Sequence, residues 1–222
     1  YDKESKERFS LSKEIDRLVK MSEQVSQEAN NLTTALKGNT KMQGNWGELL
    51  LESILENSGL TKGQEFVTQE FIRDAAGHVI KDDEGRGLQP DVMVYYPDKR
   101  KIIIDSKVSL IAWERFVSEE LADDDREKAL QQHIQSIRNH IDGLSKKNYP
   151  KYAEALDYVL MFVPIEPAFL EALKKDRQLW KYAYDKNILL VSPTNLLAVL
   201  RIIADLWKVE QRSKNAIEIA EK

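Results

Sequence analysis

The stretch that decides the fold runs from residue 89 to residue 108 and reads QPDVMVYYPDKRKIIIDSKV. Two runs rich in β-branched and aromatic residues flank a Pro-Asp turn, and this pattern predicts a β-hairpin. Asp91 precedes the first run, while Asp105 and Lys107 interrupt the second. Burying such charges is costly unless they are paired or bind a metal ion. Because side chains alternate along a strand, Asp105 and Lys107 point to the same face.

The register of the hairpin decides whether Asp91 joins them, since a slip of one residue turns a whole strand to the opposite face. In one register Asp91 faces Asp105, and the connecting loop has an odd length, 97–99 or 96–100. In the register shifted by one residue, Asp91 faces Ser106 and no cluster forms. We predict the first register, or a bulge near Asp91 that has the same effect.

Two carboxylates and a lysine in one place suit the chemistry of a hard cation. Mg²⁺ takes oxygen ligands and usually keeps several waters. A bound cation polarises a phosphodiester and activates water, while an ammonium group holds the attacking water or the developing charge. The spacing Pro-Asp, thirteen residues, Asp-x-Lys resembles the PD-(D/E)xK nuclease superfamily. The alternative interpretation is a solvated hairpin end with a surface Asp and Lys.

Composition limits the possible partners of this chain of 222 residues. Without cysteine it has neither disulfides nor thiolate metal sites. The net charge of −4 means that a polyanion must meet a local basic surface. The candidate basic residues are Lys99, Arg100 and Lys101 at the hairpin tip, and Arg138, Lys146, Lys147 and Lys151 near the end of a later helix. For each of them the alternative is an ordinary solvated charge.

The ends of the chain indicate a piece of a longer protein, because it starts at Tyr1 without methionine and stops inside a predicted helix. No apolar run approaches the roughly 18 residues of a membrane helix, and no signal peptide is visible, so we expect no membrane contact from this stretch.

The first 37 residues contain neither Pro nor Gly and carry a heptad seam. Its members are Leu11, Ile15, Leu18, Ser22, Val25, Ala29, Leu32 and Leu36. We predict that residues 1–41 form the end of a coiled coil that mediates self-association, with a helix laid along its own domain as the alternative. Residues 42–222 are then an α/β domain with a C-terminal helical extension.

A helix predicted over roughly 43–57 carries Glu48 at the edge of its apolar arc, beside Leu51 and Leu55. In that position Glu48 can lean toward the sheet that the helix covers. Asn45 followed by Glu48 also fits a capping box, which would explain the glutamate by itself. The spacing leaves both interpretations open.

The remaining pattern predicts a mixed sheet flanked by helices. A first strand at 65–72 precedes a loop or frayed hairpin at 73–87, and a helix follows from 123 to 147. The apolar runs at 157–164 and 188–191 predict parallel strands buried on both faces, joined in a right-handed crossover by a helix over 166–184. A last long helix starts at Pro193.

Three further polar residues receive structural interpretations. His133 and His140 lie seven apart on one helix, too far to share an ion without other ligands, so a packed or surface-polar role is favoured over metal ligation. Glu166 precedes Pro167 at a helix start, which favours a capping role over a catalytic one.

Several separate blocks between Gly44 and Ala220 resemble the RmuC family of DNA recombination proteins. The blocks are residues 44–48, 89–91, 104–110, 140–149, 161–166 and 191–194, and Trp207. The resemblance implies a full-length protein with an N-terminal membrane anchor, a long coiled coil and a nuclease-like domain that limits inversions and other rearrangements at repeats. We accordingly expect a cytoplasmic domain, with the full-length protein tethered to the inner face of the cell membrane.

Position by position, the resemblance implies that Glu48 is the helix glutamate, Asp91 the strand aspartate, and Asp105 and Lys107 the D-x-K pair of a PD-(D/E)xK core. The chain departs from the family where Gln89 and Pro90 precede Asp91 in place of a basic residue, and where Trp113 replaces tyrosine.

We therefore predict a deoxyribonuclease that depends on Mg²⁺ or Mn²⁺. Asp91 and Asp105 would bind the metal, Glu48 would complete its shell directly or through water, and Lys107 would position the nucleophile. The alternative is a non-catalytic DNA-binding or scaffolding module carried on a coiled coil, whose DNA binding would be sensitive to salt.

Overall fold

The computed structural model describes residue 20 and residues 40–220, apart from 75, 83, 99, 107–109, 119–120 and 153–154. The heptad seam that we predict from Leu11 to Leu36 therefore lies outside the described residues. Lys99 and Lys107 lie outside them as well.

One mixed sheet of five strands, in the order β1-β2-β3-β4-β5, forms the centre of the fold. The strands are Phe66–Thr68 (β1), Val92–Tyr95 (β2), Lys101–Asp105 (β3), Ala155–Phe162 (β4) and Ile188–Val191 (β5). The first three pair antiparallel, whereas β4 pairs parallel to both β3 and β5. The mixed α/β sheet and the parallel pairing of its last two strands are thus confirmed.

Helices cover both faces of the sheet. They are Thr40–Asn57 (α1), Ile111–Phe116 (α2), Asp123–Lys146 (α3), Tyr149–Tyr152 (α4), Glu166–Lys175 (α5), Leu179–Tyr184 (α6) and Pro193–Ala220 (α7). Side chains of α1 and α7 share one apolar core with Val94 and Ile104 of the sheet. Those of α3, α5 and α6 share a second core with Met93 and Ile103. Alternation along β2 and β3 thus supplies both cores.

The apolar run of β4 is buried on both faces, as we predict. Val159 and Met161 enter the core beneath α3, and Leu160 and Phe162 enter the core beneath α1 and α7. In β5, by contrast, Leu189 and Leu190 are only half-buried. The reason is that β5 is the last strand of the sheet and lacks a neighbour on one side.

The connection between β4 and β5 contains two helices, so the prediction of a single helix over 166–184 is wrong. The chain breaks at Asp176, whose Oδ2 accepts hydrogen bonds from Arg138 Nη2 at 2.6 Å and Nε at 3.1 Å. Its Oδ1 accepts a third from the backbone N–H of Gln178 at 3.1 Å. The carboxylate thus holds a turn and ties it to α3.

The first strand is also shorter than the predicted 65–72. Gln69 adopts a left-handed conformation with φ of 54°, which ends β1 at Thr68. The segment that follows is a frayed hairpin, one of the two forms that we predict, with isolated pairings of Arg73 to Val79 and of Lys81 to Gly87. An aspartate, Asp74 or Asp82, closes each of its turns by accepting two backbone N–H groups.

Glu166 holds the start of α7. Its Oε1 accepts a hydrogen bond from Ser192 Oγ at 2.7 Å, and its Oε2 accepts from the N–H and Oγ1 of Thr194 at 3.1 and 2.9 Å. A carboxylate at a helix N-terminus satisfies donors that lack an intrahelical partner and favours the helix dipole. The geometry supports the structural role that we predict for Glu166.

Replacing Glu166 by Ala should lower the free energy of unfolding by about 1–3 kcal/mol, because three donors lose their acceptor. Glu166→Gln, which keeps one acceptor oxygen, should lose less. Urea denaturation of both variants measures this. The matched control is Glu171→Ala in the same helix, because the Glu171 carboxylate pairs with the exposed Lys174. Equal losses for Glu166→Ala and Glu171→Ala would contradict the capping role.

His133 is fully buried and packs against the ring of Trp113 at 5.7 Å between centroids. Its Nε2 lies 3.2 Å from the carbonyl oxygen of Ala168, to which the neutral tautomer donates. Burial lowers the pKa of His133, and the bond to Ala168 acts in the opposite direction. His133 therefore has the packed role that we favour.

The pKa of His133 is lowered in the folded state, whereas in the unfolded chain it has its ordinary value of about 6.5. Near and below pH 6.5 the unfolded chain therefore binds more protons at this histidine than the folded protein does. Stability should therefore fall as the pH drops from about 7.5 to about 5, and His133→Gln should lose less over that interval. Urea denaturation at both pH values measures the difference. The control is His78→Gln, which removes an exposed histidine from the frayed hairpin. Parallel losses in parent and His133→Gln would refute this assignment.

Candidate functional site

The β2–β3 hairpin adopts the register that we predict. Val92 lies opposite Ile104 and Met93 opposite Ile103, and continuing this pairing by one residue sets Asp91 opposite Asp105. The loop is residues 96–100, closed by a hydrogen bond from the N–H of Tyr96 to the carbonyl oxygen of Arg100 at 2.8 Å. The predicted odd loop length is confirmed.

The Asp91 side chain is held in place by backbone and amide donors. Only 6% of the residue is exposed. Its Oδ2 accepts the backbone N–H of Ser106 at 2.7 Å, and its Oδ1 accepts Gln69 Nε2 at 3.1 Å. The N–H of Gln69 also donates to the carbonyl oxygen of Asp91 at 2.9 Å. The end of β1 thus fixes Asp91 against the end of β3.

Asp105 is the last residue of β3 and is 3% exposed. Its Oδ1 lies 3.0 Å from Nζ of Lys147, which immediately follows α3. The position is at the carboxyl edge of the parallel strands β3, β4 and β5, where ligands bind in open α/β sheets. Both aspartates are thus buried at the sheet edge that α/β proteins use for chemistry.

Lys147 and the buried side chain of Tyr149 complete a chain of polar contacts behind the carboxylates. Lys147 Nζ donates to the hydroxyl of Tyr149 at 3.2 Å, and that hydroxyl donates to the carbonyl oxygen of Gln89 at 3.2 Å. Burial raises the pKa of Tyr149, and the charges of Asp105 and Asp91 raise it further. The phenol therefore stays protonated at neutral pH and remains a donor.

Glu48 lies on α1, which covers the face of the sheet opposite to the one that α3 covers. It borders a small cavity of about 70 Å³ together with Gln69 and Asp91, so the structure brings Glu48 and Asp91 to one place. Asn45 and Glu48 lie inside α1, which already includes Thr40, so the capping-box interpretation of this pair is wrong. At Gly47 a Cβ atom would lie 3.4 Å from Ser106 Oγ, which shows how closely α1 covers the carboxyl edge.

Within the described part of the chain, no three Asp, Glu, His or Cys side chains form a group that could hold a metal ion. The carboxylates of Asp91 and Asp105 supply two oxygen ligands of the kind that Mg²⁺ takes, and the rest of its shell is usually water. The chemistry of this donor pair fits a Mg²⁺ or Mn²⁺ ion that keeps several waters.

The predicted DNA-binding residues separate into different regions. Arg100 pairs with Asp98 at the hairpin tip, about 15 Å along the strands from the two carboxylates. Arg138 pairs with Asp176 and lies over the ring of Tyr182, away from the site. Lys146 is exposed and, with Lys147, borders a cleft of about 410 Å³ that Arg86 also lines.

Three contacts of the site are not predicted from the sequence: those of Gln69 and Tyr149, and that of Lys147 with Asp105. Gln69 lies in a segment predicted as strand, and Tyr149 is an aromatic residue after a helix. Lys147 carries the same basic signal as its neighbour Lys146. Only the packing of α3 on the sheet brings it to a residue 42 positions earlier.

The fold and the site define an α/β protein with a buried carboxylate pair at the carboxyl edge of a mixed sheet. More particularly, the chain belongs to the RmuC family, whose model matches residues 1–222. No solved structure matches the chain. No helix among the described residues has the length and apolar character needed to cross a membrane.

Its relatives carry recombination names. The chain is 47% identical over 226 residues to the DNA recombination protein RmuC homolog of Pseudomonas aeruginosa and 47% over 226 to the DNA recombination protein RmuC of Escherichia coli (strain K12). It is 48% identical over 227 residues to a homolog from Neisseria meningitidis. Each match covers 100% of this chain but only 47%, 45% and 37% of the respective relative. The chain thus spans less than half the length of these relatives.

The hydrogen bond that Asp91 accepts from the N–H of Ser106 can be tested separately from the negative charge of Asp91. Asp91→Ala should lower the free energy of unfolding by about 1–3 kcal/mol, because the buried N–H of Ser106 loses its acceptor. Asp91→Asn, which keeps one acceptor oxygen, should cost less than Asp91→Ala. Chemical denaturation of the two variants measures the difference. If both variants unfold at the same denaturant concentration, the bond to Ser106 does not hold the hairpin end.

Proposed function

We propose that this domain is a deoxyribonuclease that depends on Mg²⁺ or Mn²⁺ and acts on DNA structures at repeats or rearrangement intermediates. The observation that carries the proposal is the position of two buried aspartates at the carboxyl edge of the sheet: Asp105 ends β3, and Asp91 immediately precedes β2, which pairs with β3. Membership of the RmuC family and the recombination names of its relatives supply the DNA context.

In the proposed reaction Asp91 and Asp105 would bind the cation. The bond from the N–H of Ser106 would orient one carboxylate, and Glu48 would hold a water of the cation's shell. When bound, the ion would polarise the phosphodiester and lower the pKa of a bound water. Lys107, two residues after Asp105, would hold the attacking water or the developing negative charge.

The substrate would approach from the side of Lys146 and Lys147, because this pair borders a cleft of about 410 Å³ and Lys147 also contacts Asp105. Arg86 on the opposite wall already pairs with Asp82 and Glu84. A chain with a net charge of −4 depends on such a local basic surface for contact with phosphates. Arg100, at the far end of the hairpin, would contact a distant part of the DNA.

We also propose how the whole protein associates and where it works. Self-association would run through the heptad seam from Leu11 to Leu36. The domain would work in the cytoplasm, and the full-length protein would be tethered to the inner face of the cell membrane.

We expect the protein to cleave labelled single-stranded, duplex or junction DNA in the presence of Mg²⁺ or Mn²⁺, with loss of products on chelation. Lys107→Ala and Asp105→Asn should reduce the cleavage rate by at least about 100-fold, since the first removes the group that holds the attacking water or the developing charge and the second removes a ligand of the cation. Gel analysis with time measures the rate. Lys181→Gln, which removes an exposed lysine that pairs with Asp185, is the control. Products that persist unchanged in Lys107→Ala and Asp105→Asn would come from a contaminant and would count against the proposal.

A non-catalytic DNA-binding or scaffolding module is the second candidate. It is favoured by the ion pair that Lys147 makes with Asp105, which engages one of the two carboxylates. It is also favoured by the lack of a three-ligand group among the described residues. Under this alternative, DNA affinity would decrease steeply with salt and would be the same in Asp105→Asn and parent, and no cation would stimulate cleavage.

A further inference from the structure

We propose that Lys147 is a positioning residue that serves as the resident counter-ion of Asp105 and is exchanged for the divalent cation when the site loads. The inference rests on the metal site of the proposed function. It adds that the ammonium group of Lys147 and the cation compete for the Asp105 carboxylate. It assigns to Lys147 a role distinct from that of its neighbour Lys146, although both carry the same charge in the same basic pair.

The first support is the environment of the Asp105 carboxylate. It is buried, and a buried ionised carboxylate is costly without a partner of opposite charge. Lys147 Nζ, at 3.0 Å from Oδ1, is its one salt-bridge partner among the described residues. The two oxygens of Asp91 accept hydrogen bonds from the backbone N–H of Ser106 and the side-chain amide of Gln69.

The second support is that Lys147 has a place to stay after it leaves Asp105. Its Nζ already donates to the hydroxyl of Tyr149 at 3.2 Å and lies 5.3 Å from the centre of that ring. The hydroxyl in turn is fixed by the carbonyl oxygen of Gln89, two residues before Asp91. The ammonium group can thus give up one carboxylate oxygen and keep its other contacts.

The exchange has a definite sign. The ammonium group and a divalent cation compete for the same carboxylate oxygen, and two cations at short distance repel each other. Removal of the ammonium charge should therefore strengthen cation binding. A lysine that merely organised the site would have the opposite effect, because its loss would leave Asp105 without its orienting partner.

The experiment titrates Mn²⁺ into the protein without DNA, followed by calorimetry and by the electron paramagnetic resonance of free Mn²⁺. Lys147→Gln should bind Mn²⁺ roughly fivefold or more tightly than the parent. Lys146→Gln is the matched control, since it removes the same charge from the neighbouring, exposed lysine. Its Mn²⁺ affinity should stay within about twofold of that of the parent. Lys147→Arg keeps the positive charge and should not gain affinity.

Failure of this inference differs from failure of the proposed function. If the parent binds Mn²⁺ and Asp105→Asn abolishes binding, but Lys147→Gln is unchanged or weaker, the inference is wrong and the metal site stands. An equal gain in Lys146→Gln and Lys147→Gln would reduce the effect to the general field and would also overturn it. If neither the parent nor any lysine variant binds Mn²⁺, the metal site and the exchange are both wrong.

A second readout needs no metal. Lys147→Gln should lower the Tm by several degrees, because Asp105 is left buried without its counter-ion, whereas Lys146→Gln should leave the Tm nearly unchanged. Adding Asp105→Asn to Lys147→Gln should recover part of the loss. Additive effects of Asp105→Asn and Lys147→Gln would show that the two side chains are not coupled and would overturn the inference.

Discussion

The hydrogen bond from the backbone N–H of Ser106 to Oδ2 of Asp91 is the interaction on which the arrangement of the site depends. At 2.7 Å it ties the residue before β2 to the residue after β3, in a buried position where an unpaired N–H would be costly. It also holds the register in which Asp91 faces Asp105. A slip of one residue would turn one carboxylate away and break the apolar alternation that feeds both cores.

The topology explains why acidic side chains gather at this edge of the sheet. Because β3, β4 and β5 are parallel, their carboxyl ends and the residues that follow them lie together. Glu166, after β4, is used there to hold the start of α7 through Ser192 and Thr194. Asp105, at the end of β3, has a lysine as its charged partner instead. Similar acids thus have different duties because their donors differ: hydroxyl and backbone groups for Glu166, an ammonium group for Asp105.

The features predicted correctly are those that short-range alternation controls. The hairpin register follows from the requirement that Asp91 and Asp105 lie on the same face of the sheet. The burial of β4 on both faces follows from its uninterrupted apolar run. Glu48 borders one small cavity together with Asp91, and its role there stays a prediction.

The features that were missed depend on contacts between distant segments. Asp176 breaks the predicted helix because Arg138, 38 residues earlier, donates to its carboxylate. Lys147 reaches Asp105, 42 residues earlier, only because α3 and the turn after it pack on the sheet. Gln69 ends β1 by adopting a left-handed conformation that glutamine seldom takes, stabilised by Asp91. None of these contacts leaves a periodic trace in the sequence.

The central claim is that Asp91 and Asp105 form one cation site. It is tested most directly by the anomalous scattering of Mn²⁺ in crystals of this domain. The account predicts a single strong peak between the two carboxylates, with metal–oxygen distances of about 2.1 Å as for a magnesium site. A Mn²⁺ peak beside other side chains would contradict it. So would the absence of Mn²⁺ between the two carboxylates at saturating Mn²⁺, with the ammonium group of Lys147 still at Asp105.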